Sequence, residues 1–346
     1  MQKEQAGNNA GRLILLRPTR EAAGGEAAGA ITDFAPGDAA GSGLDGYLSG
    51  DLGKLRQAGY SDEIDSLPGW EGAARAGYSG KALAGNPPAD TFICAGCAST
   101  FEVAWALNEA GLLPEWGAVL ALRQSSGRGQ LRRPWHSPSG NLYVSFRLPG
   151  FFLEQEAASV LTAFLLIRAF SGLGLPLRLK WPNDLVLLES EPNLAARPGK
   201  LGGILLEERR GVLLAGLGLN CALRPDRDIL REDAALQPAV LPENFSPRRP
   251  IPLWLQLVPA LILLYEKLFV ATPVRELLQR SEEFLLWKGS EVQVRDHYEQ
   301  GSVITGVLSG LTELGGLRLL VRSHEPTPAN GPRELALYSG SIKPAG

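Results

Sequence analysis

Cysteine is scarce in this chain: Cys94, Cys97 and Cys221 are the only three among 346 residues. Three thiols cannot build the disulfide framework of a small secreted domain, and an odd count fits a reducing compartment. Long apolar runs are missing too. The longest, residues 251–265, carries Gln256 and Pro259 and falls short of the ~20 residues that a membrane-spanning helix needs. Residues 13–16 are too short for the apolar core of a signal peptide and lack a small-residue cleavage site behind them, so none is expected. Nor is there an excess of charge of one sign. With 34 basic and 37 acidic residues the formal charge is -3, which argues against a broad nucleic-acid-binding surface and makes any basic site local. These absences together predict a cytoplasmic protein with no membrane and no nucleic-acid partner.

What is present is uneven. Residues 1–90 are rich in glycine and alanine, which bury little surface and cost much backbone entropy, and predict a leader that is poorly ordered or loosely docked. Within it only RLILL at 12–16 and YSDEIDSLPGW at 60–70 offer segments that could dock, and no helix-turn-helix pattern is visible. From Asp90 the pattern changes. Residues 91–95 predict a strand, Ser99 an N-cap, and Val103, Ala104, Leu107 and Ala110 a helix face. Strands over 116–122 and 141–148 enclose a loop, and a helix over 154–172 precedes alternating Leu175, Leu177 and Leu179. Two helices, 252–269 and about 274–287, lead to a tail whose alternating valines and leucines, broken at Gly301, Gly310, Gly315 and Gly331, predict a small barrel of short strands. The division is thus a leader over 1–90, a mixed α/β body over 91–286 and a β-rich domain over 287–346.

Four clusters in the body carry chemistry. The loop over 124–143, QSSGRGQLRRPWHSPSGNLY, holds Arg128, Arg132 and Arg133 among glycines. Gly127 and Gly129 allow close backbone approach, while guanidinium forks match phosphate or carboxylate oxygens. The second cluster, KWPND, ends a strand at Pro182 and presents Lys180, Asn183 and Asp184 at a corner. KLGGILLE (200–207) and GLGLN (216–220) follow. Glycines two apart in a strand imply that something approaches that face closely. Cys94 and Cys97 form a lone CxxC without a second pair and are read as packed residues flanking a turn; His136 is read as incidental to the loop.

In this order, GRGxxxRxW with SPxGNLY, then KWPND, KLGGILLE and GLGLN, the chain resembles the biotin protein ligases over about residues 92–346, specifically the type without an N-terminal DNA-binding domain. The resemblance implies an α+β fold: a central mixed β-sheet flanked by helices, like the class II aminoacyl-tRNA synthetases, with a small SH3-like C-terminal barrel. It also implies a two-step reaction, in which biotin and ATP give biotinyl-5′-AMP and a lysine of a biotin carboxyl carrier domain then takes the biotin. ATP enters as co-substrate with its Mg²⁺, no prosthetic group is implied, and a homodimer is one option for assembly. Such chemistry needs positioning and charge neutralisation rather than a protein nucleophile.

Carried over by position, Ser99, Thr100, Gln124 and Gly127 would read the ureido head of biotin, and Trp135 would close over it. Arg128 and Lys180 would be catalytic, holding the carboxylate and the reacting phosphate, with Arg133 on the polyphosphate. Gly202, Gly203 and Lys200 would line the pocket, Asn183 would sit at the nucleotide, Asn220 would bind adenine, and Asp184 would bind Mg²⁺ or orient Lys180. The loop is expected to close over the intermediate. Two alternatives remain: a lipoate or octanoate transferase of the same superfamily, and a non-catalytic biotin-binding sensor.

Two positions depart from the family. Phe101 stands where an asparagine is frequent, and Gln130 where a further basic residue is frequent. Gln130 weakens retention of the activated intermediate on this reading. Incubated with biotin, ATP and a lysine-rich bystander protein, the native chain should label the bystander more than a Gln130→Arg variant does; equal labelling refutes the expectation.

Overall fold

The computed structural model describes residues 13–18, 62–67, 70–76, 89–94, 96–189, 197–225, 236–295, 303–321 and 333–345. Among the described residues sixteen strands form two sheets. In chain order the first seven are β1 (Leu13–Pro18), β2 (Asp62–Leu67), β3 (Trp70–Ala76), β4 (Thr91–Cys94), β5 (Ala118–Ala121), β6 (Leu142–Arg147) and β7 (Leu177–Lys180). Then come β8 (Asp184–Glu189), β9 (Arg197–Arg209), β10 (Val212–Leu219) and the two-residue β11 (Gln237–Pro238). These make one sheet in the order β2-β3-β1-β4-β5-β6-β10-β9-β8-β7, with β11 against β9. It is mixed: β4 runs parallel to β1 and β5, while β6, β10, β9, β8 and β7 pair antiparallel in succession. The segment 13–18 therefore extends the main sheet, with β3 and β2 beyond it.

Side-chain alternation along the central strands divides the core. Ala118 and Leu120 of β5 face one side, where they meet helices α3 (Ala158–Gly172) and α4 (Pro250–Leu264). Val119 and Ala121 face the other, with Phe92 and Cys94, and are covered by α1 (Thr100–Glu109). The predicted helix over 154–172 starts only at Ala158, as α3, because the chain turns through 154–157; a separate single turn α2 (Gly150–Leu153) precedes it. Helix α3 is apolar almost all round since it is enclosed by the sheet and α4. On α4, Trp254 is fully buried and donates from Nε1 to Thr91 Oγ1 at 3.2 Å, tying helix to strand.

After α5 (Val274–Ser281), which is shorter than the expected 274–287, the strands β12 (Glu291–Arg295), β13 (Val303–Leu311), β14 (Leu317–Val321), β15 (Arg333–Leu337) and β16 (Ser341–Pro344) form a second sheet. It is antiparallel throughout, in the order β15-β14-β13-β12-β16, consistent with the SH3-like expectation. Two groups fasten it to the body. Trp181, at the KWPND corner and 3% exposed, donates from Nε1 to Gly315 O at 2.9 Å. Glu282 Oε1 accepts from Leu311 N at 2.8 Å and Arg318 Nη2 at 3.1 Å, while Oε2 takes Lys288 Nζ at 2.7 Å.

Trp181 was read only as part of the corner, yet its indole is the bolt between the two sheets. Trp181→Ala should cost about 3–5 kcal/mol, as expected for removing a buried indole. Urea unfolding followed by circular dichroism checks this, and a change under about 1 kcal/mol would show that the corner holds without it.

Candidate active site

The strands of the main sheet end around a cavity of about 560 Å³. Its wall includes Ser99, Thr100, Gln124, Arg128, Arg133, Trp135, Lys180, Asn183, Asp184, Lys200, Gly203 and Asn220, so twelve positions singled out from sequence converge on one space. Gly127 and Gly202 do not line it. A side chain at Gly127 would run into Trp135 O and Ser137, and one at Gly202 would meet Gly218 O at 2.5 Å and Leu219 at 2.9 Å. Both glycines serve close packing behind the wall.

At one end, polar groups form a directed relay. Thr100 donates from its backbone N and from Oγ1 to Gln124 Oε1, at 2.8 and 3.2 Å. Gln124 Nε2 donates to Ser137 Oγ at 3.0 Å, and Ser137 Oγ donates to Trp135 O at 2.9 Å. Ser145 Oγ lies 2.7 Å from Thr100 Oγ1 and completes the chain. Ser99 does not cap α1 through its side chain as expected. Its backbone carbonyl accepts Glu102 N at 3.1 Å, but the hydroxyl is buried with no partner. A buried hydroxyl left unpaired costs free energy, and Ser99 is one of the residues that line the cavity.

The middle of the cavity is shaped by two aromatic rings seated on glycine. A Cβ at Gly218 would come within 2.7 Å of the Trp135 indole, and one at Gly216 would collide with Phe101. The close approach read from the alternate glycines is therefore made by protein side chains. Trp135 Nε1 is buried and unpaired, and Lys200 Nζ lies 5.4 Å from the centre of its ring. The loop that carries Trp135 folds back on itself, with Trp135 N donating to Gly127 O at 2.8 Å and Gly129 N to Arg133 O at 2.8 Å. At its tip Leu131 has φ of 57° and is 59% exposed, an uncommon backbone state for a branched apolar residue.

At the other end, cations gather. Asp184 at the start of β8 takes Lys180 Nζ at 3.0 Å on Oδ2 and Lys200 Nζ at 2.6 Å on Oδ1. The β7–β8 hairpin pairs Lys180 with Asp184, and the β8–β9 register sets Asp184 beside Gly203, so the backbone ladder places all three. Burial pushes the Asp184 carboxyl up, but attraction to Lys200 and Lys180 and their hydrogen bonds outweigh it and hold the group below the ordinary carboxylate value. Each of the two Asp184 oxygens thus faces one ammonium group. Among the described residues no cluster of three His, Cys, Asp or Glu side chains could hold an ion. Of the two roles expected for Asp184, the geometry suits orienting Lys180.

Beyond the cations, Asn183 Nδ2 donates to Ile204 O at 2.6 Å. Asn220 Nδ2 donates to Ala239 O at 3.1 Å and Lys200 O at 3.4 Å, which fixes the end of β10 against β9. Sequence reasoning gave no role to Asn141. Its Oδ1 accepts the backbone N–H groups of Cys221, Ala222 and Leu223 at 2.9, 3.1 and 3.0 Å, turning the chain after Asn220. Glu207, the last residue of KLGGILLE, likewise has no role marked by its local sequence. Gln293, Arg295 and Lys343 of the second sheet also reach the cavity wall, and nothing in their local sequence marks them.

A mixed sheet with helices on both faces thus opens at its strand ends onto a relay of hydroxyl and amide groups and a set of lysines. Residues 99–223 match the model of the biotin/lipoate A/B protein ligase family. The chain is 34% identical over 139 residues to the bifunctional ligase/repressor BirA of Salmonella typhimurium, covering 36% of this chain and 40% of that protein. With BirA of Bacillus subtilis it is 30% identical over 118 residues, 33% of this chain and 35% of the other. The chain thus spans less than half the length of these curated relatives. Among solved structures it resembles a biotin protein ligase from Aquifex aeolicus in complex with biotin and ATP, at 25% identity and a TM-score of 0.54, covering 74% of this chain and 99% of that one.

Asp184→Asn leaves two ammonium groups facing each other and should cost roughly 2–4 kcal/mol, part of a buried pair's worth because Lys200 is partly exposed. The sign with pH follows from the depressed folded-state value. The contribution is complete above the unfolded value of ~3.9 and is lost as pH falls through the lower folded value. Unfolding midpoints of native and variant protein should therefore differ by a constant amount between pH 5 and pH 8 and converge only at pH values below the unfolded value of ~3.9; a difference that already shrinks near pH 6 contradicts the assignment.

Proposed function

We propose that this chain activates biotin with ATP as biotinyl-5′-AMP and transfers the biotin to a lysine of a biotin carboxyl carrier domain. One observation carries the reading. A single cavity has at one end the Gln124–Thr100 relay and the buried Ser99 hydroxyl, and at the other Lys180 and Lys200, both held on Asp184. The first set suits a neutral, hydrogen-bonding ring system such as a ureido group. The second suits a carboxylate and a phosphate brought into contact. The Aquifex aeolicus protein, described with biotin and ATP, supports it by similarity of fold and sequence.

In the first step a biotin carboxylate oxygen forms a bond to the α-phosphorus, and the bond from that phosphorus to the bridging oxygen breaks, releasing pyrophosphate. Two anions must meet, and Lys180, fixed by Asp184, neutralises them without having to reorganise. Arg133, exposed on the loop and lining the cavity, would meet the leaving pyrophosphate, whose magnesium arrives with the nucleotide as part of the substrate. Asn220 has its amide donors committed to carbonyls, which leaves its oxygen as acceptor for an adenine amino group. Trp135 and the folded-back loop cover the acyl chain and exclude water. In the second step the lysine nitrogen of the carrier attacks the mixed anhydride carbonyl and AMP departs. A cytoplasmic location suits both carrier and nucleotide.

An octanoate or lipoate transferase that works through an acyl-cysteine fits less well. No cysteine lines the cavity; burial pushes the Cys221 thiol up to about 12, and a hydrogen bond to Cys97 together with burial raises that of Cys94. A sensor without catalysis would have no use for paired lysines at the acid end.

Biotin-dependent exchange of labelled pyrophosphate into ATP tests the reading. Exchange is expected with biotin and absent with lipoate or octanoate, and Lys180→Ala should lower it by roughly 100-fold or more. Exchange with lipoate or octanoate instead of biotin overturns the substrate, and exchange with none of the acids overturns the activity.

A further inference from the structure

Arg128 has its three guanidinium nitrogens in unequal situations. Nη1 lies 3.4 Å from Glu207 Oε1, and Nη2 lies 3.8 Å from Glu102 Oε1, too far for a hydrogen bond. Nε and Nη2 are both buried and have no hydrogen-bond partner among the described residues. These two nitrogens share one edge of the planar fork, the edge that matches a pair of phosphate or carboxylate oxygens. The edge shaped for an anion is the empty one, and the remaining nitrogen is the one tethered.

The tether is itself braced. Trp105 Nε1 donates to Glu207 Oε2 at 3.0 Å from a ring that is 3% exposed on α1, and Arg209 Nη2 sits 3.4 Å from the same oxygen. Arg209 also stacks over the Trp105 ring at 4.8 Å. With Oε2 taken, only Oε1 is left to face Arg128. On its other side the guanidinium lies 5.8 Å from the centre of the Phe101 ring, whose own place depends on the missing side chain at Gly216. Glu102 differs in kind: its side chain is 57% exposed, against 20% for Glu207, and no hydrogen bond from it to another side chain holds it in place.

We infer that Glu207 is a positioning residue for the reaction, holding Nη1 of Arg128 so that the Nε/Nη2 edge is presented to the phosphate of the acyl-adenylate, whereas Glu102 is a replaceable neighbour of that edge until the ligand anion arrives. This rests on the proposed adenylate-forming reading. It adds a carboxylate to an anion site, where net repulsion would argue against one. The fixed geometry of the fork outweighs that repulsion, because an untethered arginine must lose rotamer freedom each time it binds.

The test uses the full chain and two stable analogues of the mixed anhydride, one joined by a phosphodiester that carries a single negative charge and one by an uncharged linker of equal length. Their dissociation constants are measured by calorimetry for the native protein, Glu207→Gln and Glu102→Gln. The amide of Glu207→Gln keeps an acceptor for Trp105 while losing the charge that orients Arg128. It should bind the charged analogue about tenfold more weakly and the uncharged one within about twofold of native, whereas Glu102→Gln should bind the charged analogue as well as or better than native. Equal weakening of both analogues by Glu207→Gln shows a packing role and overturns the inference, as does a loss in Glu102→Gln equal to that in Glu207→Gln. Native protein that binds neither analogue overturns the adenylate reading itself.

Discussion

Two ammonium groups from different strands share one carboxylate at Asp184, and the arrangement of the cavity depends on that pairing. Cations crowded into a partly buried space repel one another unless an anion stands between them. Asp184 neutralises Lys180 and Lys200 while fixing where each points. The cost of burying its charge is met by two partners at once, which is why the carboxyl stays ionised. Because Lys180, Asp184 and Lys200 all stand on paired strands, the ladder of the sheet sets their spacing.

The same corner joins the two halves of the molecule. Lys180 and Trp181 are neighbours in sequence, yet the lysine meets Asp184 at the cavity while the indole reaches Gly315 of the second sheet. A strand whose last residues are committed in two directions is held firmly at the point where chemistry needs a fixed charge. It also brings Arg295 and Lys343 to the cavity wall, so the second sheet is part of the site's enclosure.

Much of the body was legible in the sequence. Helical spacing after Ser99, alternation through the strands and the ordered clusters all correspond to elements that the structure contains, and twelve of the positions singled out line one cavity. The misreadings have physical causes. Ser99 stands at a helix start, as a capping residue should, but its hydroxyl turns inward to the cavity, and the sequence has no signal for the direction of a rotamer. Gly127 and Gly202 belong to the motifs and yet serve packing, because a glycine needed for close approach looks the same whether a ligand or a neighbouring strand approaches.

By itself the sequence determined the period of each element, the breaks between them and the types of residue that bind anions, since these depend on chemistry carried by neighbours along the chain. The tertiary structure alone decided which of those residues are paired and which are left open. Glu207 and Arg128 are 79 positions apart in sequence, Trp105 and Glu207 102 apart, and only the β9–β10–β6 register and the packing of α1 bring them together. Whether a charge is neutralised depends on distances of a few ångströms across the fold. An arginine in a glycine-rich loop therefore announces an anion site, and the folded chain decides which edge of it is free.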